Sequence, residues 1–249
     1  MRTLCVIAPR QCPQRHIHRR CVAFLWGQRS LLYILLFLGT NLFGQTKDLS
    51  IPKYKNGELT FWYKWENDRI EKLKLPDLKL TSDSLYFRLS TDNQIIDIHS
   101  RDGKTFDGQM VIYTISYDRE QKKKSKYYSS RQNLSSDTVG QIIDLFKKLG
   151  VNNIPTDSEI EGWRKGTDGK TYILQFATRD KYSFKTYWTP SSSDNLKEAI
   201  TINSFVTQIE SLLTLDKRTQ NFFDILPKDN CYRFGSMSIR CIQSGKRRK

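Results

Sequence analysis

Two alternating segments, residues 109–117 and 125–131, joined by a polar connection, most constrain what this chain can fold into. In the first, Val111, Tyr113, Ile115 and Tyr117 fall on one side and Met110, Ile112, Thr114 and Ser116 on the other. A period of two is the period of a strand, and two such runs across a polar link form a hairpin. The arrangement recurs at residues 170–177 and 182–188, with Asp168 and Gly169 turning the chain into the first of them. Residues 84–89 and the run Ile95, Ile96, Ile98 read as further strands, and residues 101–104 as a tight turn. The aromatic segment at residues 60–65 also has strand character, with Phe61, Tyr63 and Trp65 on one face. Residues 66–83 are charged, contain Pro76 and read as irregular.

Two long runs are helical instead. Ser135 begins one as an N-cap; Val139, Ile142, Ile143, Phe146 and Leu149 follow at helical spacing, and Gly150 ends it. Ser192 or Ser193 starts the other, whose apolar face is Ile202, Phe205, Val206, Ile209, Leu212 and Leu213. A short helix over residues 218–225 precedes Pro227. Hairpins outnumber strand–helix–strand crossovers. The expected fold is therefore α+β, a mainly antiparallel sheet with two main helices packed on one face.

The chain's 249 residues are 38% apolar and 27% charged, which excludes wholesale disorder, a polytopic membrane protein and a disulfide-dense miniprotein. No fixed-period repeat occurs, so solenoids and propellers are disfavoured. Residues 1–44 stand apart: six arginines, no lysine and no acid, then 14 uncharged residues from Ser30 to Phe43. A basic stretch, a short apolar stretch and a small residue are the layout of a secretory signal. At 1.5 Å per residue the apolar run covers about 21 Å, short of a bilayer core of about 30 Å. Cleavage near Gly44 is the first reading and an uncleaved anchor the second; residues 1–20 are read either as part of that basic region or as sequence upstream of the true start. Both readings place the rest outside the cytoplasm. Residues 45–59 read as a loose lead, 60–245 as one α+β domain and 246–249 as a basic tail.

Taking the six N-terminal arginines from the 41 basic residues leaves 35 against 26 acids. The excess gathers in Lys122, Lys123, Lys124 and Lys126 and in the tail, on a turn and an end rather than one helical face. Nucleic acid is therefore not an expected partner; the partner stays open, with an envelope protein or polymer as the candidate. Membrane contact is expected only through residues 30–43, if uncleaved. Cys12, His16, His18 and Cys21 do not have a standard zinc spacing, and no metal or other cofactor is called for. Cys231 and Cys241 flank a short hairpin around Gly235 and Ser236, which suits a disulfide in an oxidising compartment.

The best candidate for chemistry is the loop containing Asp157, Glu159, Glu161 and Asp168, because paired carboxylates can divide into acid and base roles. Trp163 in that loop is weighed as a ligand platform against an anchor between the helix at 136–149 and the strand at 170–177. His99 has no histidine or cysteine near it in sequence, so neither a triad nor a zinc site is supported. No phosphate loop, nucleophile elbow or metalloprotease motif is present. Residues 160–172 and 182–190, together with residues 39–45, resemble small exported proteins of uncharacterised function from Bacteroidetes-type bacteria. That resemblance implies an envelope location and an aromatic-rich α+β domain, and no activity. Two functions stay open: a non-enzymatic binding or accessory module of the envelope, and a carboxylate-based hydrolase acting on a glycan or other envelope substrate.

Overall fold

Nine strands form one sheet among the described residues, and helices lie on both of its faces. The computed structural model describes residues 47–120, 125–235 and 238–244. The basic and apolar N-terminal region with its Cys12, His16, His18 and Cys21, the lysines 122–124 and the tail 246–249 lie outside the described residues. The strands are β1 (Asp48–Ser50), β2 (Leu85–Ser90), β3 (Gln94–Ser100), β4 (Asp107–Tyr117), β5 (Tyr127–Asn133), β6 (Thr171–Ala177), β7 (Lys181–Trp188), β8 (Asn230–Phe234) and β9 (Ser238–Ile242). The main helices are α1 (Phe61–Lys72), α2 (Ser136–Leu149), α3 (Lys197–Leu212) and α4 (Leu215–Asp224).

The sheet runs β1-β7-β6-β2-β3-β4-β8-β9, with β5 on the other edge of β4. Every pairing is antiparallel except β1 on β7. The fold is thus α+β. Both expected hairpins are present, with Ile112 opposite Ser130 and Leu174 opposite Lys185. β3 pairs with β4 as far as Ile112, and β8 takes up Ser116 and Tyr117. This leaves a break in the ladder beside the β2–β3 turn. β1 falls in the segment expected to be a loose lead; Lys47 next to it donates to the Thr81 carbonyl at 2.8 Å.

α2 and α3 pack on one face against Phe87, Leu89, Ile96, Ile98, Met110 and Ile112. α2 begins where its cap does: Ser135 accepts from the Thr138 N–H at 3.3 Å. It ends at Gly150, whose φ of 59° is the left-handed value glycine tolerates.

The other face corrects the strand expected at residues 60–65. These residues open α1, capped by Thr60, whose hydroxyl accepts from the Tyr63 N–H at 3.4 Å. The buried members of α1 are Tyr63, Glu66, Arg69 and Ile70, a helical spacing. Two of them are charged and paired with each other, so hydropathy alone did not mark the stripe. α1 and the segment after it cover Tyr86, Ile95, Val111, Ile173 and Phe184, the side of the sheet away from α2 and α3.

Candidate functional site

The cleft that stands out opens where the β2–β3 turn meets the N-terminal half of α1. A chain of buried polar groups lies beneath it. Glu66 is fully buried and bonds Arg69; it also accepts from Ser90 Oγ at 2.7 Å and Gln175 Nε2 at 3.2 Å. Arg69 donates to the Tyr113 hydroxyl at 2.5 Å and the Thr91 carbonyl at 3.1 Å, and its guanidinium lies 4.4 Å from the Trp65 ring centroid. Arg69 Nε has no hydrogen-bond partner among the described residues. Nearby, Arg88 holds Asp97 through two bonds of 2.5 and 2.8 Å. Burying charges this way costs solvation, which the pairing and the accompanying hydrogen bonds offset. Burial pushes the Tyr113 hydroxyl up to about 12, against the opposing pull of Arg69.

The turn above is tightly organised. The Tyr113 hydroxyl itself donates a hydrogen bond to the Asp92 carbonyl at 2.6 Å. Asn93 Nδ2 donates to the Tyr113 carbonyl at 3.0 Å, and Asn93 Oδ1 accepts from the Gly235 N–H at 2.6 Å. This stitches the turn to the β8–β9 hairpin, where Gly235 takes a φ of 67°. Thr114 Oγ1 donates to the Arg233 carbonyl at 2.5 Å.

Two cavities adjoin at Asp92, Asn93 and Gly235. One, of about 220 Å³, is walled by Phe61, Trp62, Trp65, Ile115 and Ile173. The other, of about 350 Å³, reaches Lys170, Asp216 and Phe234. Asp92 faces both, and no donor among the described residues bonds its carboxylate. Burial raises its pKa above the usual aspartate value, with Lys170 and Arg69 pulling the other way. Lys170 is itself bonded to Glu210, which also accepts from Tyr172 at 3.3 Å.

The residues singled out from sequence lie elsewhere. Trp163 is 5% exposed, belongs to the core under α2 and α3, and donates its indole N–H to the Trp188 carbonyl at 2.8 Å. Its loop wraps Trp188: a Cβ on Gly166 would come within 2.6 Å of that ring, so the glycine permits the contact. Asp157 uses both carboxylate oxygens on β7, accepting from the Trp188 N–H at 2.7 Å and the Thr186 hydroxyl at 3.0 Å. Glu159, Glu161 and Asp168 are exposed. His99 lies 3.5 Å from an Asp83 carboxylate oxygen and stacks on Tyr86. Cys231 and Cys241 stand opposite each other on β8 and β9 and form a disulfide. Among the described residues no cluster of histidine, cysteine and acid could hold a metal, and no helix is long and apolar enough to cross a membrane.

Sequence reasoning missed Asp92, whose only signal was turn chemistry between two apolar runs, and it placed Trp62 and Trp65 on opposite faces of a strand. Their three-residue separation puts them on one side of a helix, where their rings meet edge to face at 5.6 Å. Comparison of the chain with protein-family models, with curated proteins and with solved structures found no match.

Proposed function

We propose that this chain is an exported protein of the cell envelope that serves as a non-enzymatic binding or accessory module, and that the cleft at the β2–β3 turn is its binding site. The observation that carries the reading is Asp92: a half-buried carboxylate without a donor among the described residues, in a cleft walled by aromatic rings. A rigid concave site with few convergent polar groups is the usual form of a ligand pocket. Export is supported by the basic and apolar layout of residues 1–44 and by the cysteine pair, a bond that persists in oxidising compartments. The hydrolase alternative draws less support, because Asp157 is committed to β7 and Glu210 to Lys170 and Tyr172.

The test has two arms. Fractionation of producing cells with N-terminal sequencing should find the protein outside the cytoplasm, either starting near Gln45 or retained in the membrane at full length; a full-length cytoplasmic product overturns export. Purified protein should sediment with isolated envelopes, and Trp62→Ala should reduce that binding. Undiminished sedimentation of the variant overturns the cleft as the site.

A further inference from the structure

Taking the cleft as the binding site, we propose that its ligand is a neutral saccharide, with one sugar ring against Phe61 and Trp62 and its hydroxyls on Asp92, the chain continuing into the adjoining cavity. Size comes first. The aromatic cavity of about 220 Å³ lies below the range of about 300–1,000 Å³ usual for drug-sized ligands and suits a single ring. The second cavity, of about 350 Å³, shares Asp92, Asn93 and Gly235 with it, so a linear ligand would pass over the Asp92 carboxylate.

The wall chemistry is of two kinds. Phe61 is 57% exposed, and Trp62 meets both Phe61 and Trp65 edge to face. Such rings offer apolar carbon with a polarised face, matched by the C–H face of a sugar ring. The polar groups of Asn93, Thr114 and Tyr113 are already spent within the protein. Among the described residues those left for a ligand are the Asp92 carboxylate, the indole N–H groups of Trp62 and Trp65 and the Thr171 hydroxyl. A carboxylate only accepts, and neighbouring sugar hydroxyls present it with two donors.

Charge then selects among small polar ligands. An anion would meet Asp92. A cation would find that carboxylate already under the influence of Lys170 and Arg69, opposed by Glu210. A neutral polyol satisfies the carboxylate without adding charge of either sign.

The assignment rests on the binding-module reading, and the experiment separates the two. The exported form is screened on an array of neutral, acidic and amine-bearing oligosaccharides, and hits are titrated by indole fluorescence beside choline and spermidine. Neutral oligosaccharides should bind, and Asp92→Asn and Trp62→Ala should each weaken them about tenfold to a hundredfold. Trp62→Phe should recover part of the loss, and thermal midpoints identify any variant that is merely misfolded, in which case the other carries the comparison. Binding to no neutral saccharide, or tenfold tighter binding of choline, spermidine or an amine-bearing glycan, overturns the assignment. If Trp62→Ala still abolishes sedimentation with envelopes in that event, the cleft remains the site and only the ligand class falls.

Discussion

Replacing Arg69 by methionine tests whether the polar layer under α1 is a balanced unit. The substitution keeps most of the side-chain volume. It removes the partner of Glu66 and the bonds to the Tyr113 hydroxyl and the Thr91 carbonyl. Glu66 then stays fully buried with only Ser90 and Gln175 as donors. Leaving one member of a buried ion pair alone costs about 3–5 kcal/mol. That is a large share of a typical stability of about 5–15 kcal/mol. For a domain of this size it corresponds to a fall in thermal midpoint of about 6–20 °C. The double variant Glu66→Gln, Arg69→Met removes both charges and should return to within about 1–2 kcal/mol of the parent. Urea denaturation of the parent, both single variants and the double variant closes the cycle. A loss below about 1 kcal/mol for Arg69→Met, or a double variant no better than the sum of the singles, would refute the account of this layer.

Trp163→Ala should cost about 3–5 kcal/mol in chemical denaturation, and Trp163→Phe far less, the lost bond to the Trp188 carbonyl being worth about 1 kcal/mol. The exported protein should show no titratable thiol at positions 231 and 241 until reduced, and reduction should lower stability by about 2–3 kcal/mol for so short a loop. Asp92 gives a pH dependence of known sign. Burial raises its folded pKa above the unfolded value of 3.8, so the folded state holds the proton longer and stability falls as pH rises from 3.8 through the raised value. Denaturation of Asp92→Asn over that range should lack this fall, and equal pH slopes for parent and variant would contradict the burial of the carboxylate.

Where the pattern of side chains along the chain mirrors one interface, the sequence determined the outcome alone. The helical spacing in α2 and α3 faces a single apolar layer, and the alternation in β4, β6 and β7 divides side chains between the layers on the two faces of the sheet, so period sets the element. The Cys231 and Cys241 hairpin was legible for the same local reason, since the turn at Gly235 places the two opposite each other. α1 was not legible, because its buried stripe contains Glu66 and Arg69. Those residues look solvent-seeking until Ser90, Gln175, Tyr113 and Thr91, distant in sequence, supply their partners. Trp163, open between ligand platform and anchor in the sequence, is buried in the core, whereas the acids around it showed nothing of their places until β7 claimed Asp157 and left the others in solvent. The cleft was decided only by the tertiary structure. Asp92 is an ordinary turn residue in the chain; it becomes a half-buried carboxylate without a donor among the described residues because α1, the β2–β3 turn and the β8–β9 hairpin converge there. Burial and electrostatic surroundings are properties of that convergence and of no single segment.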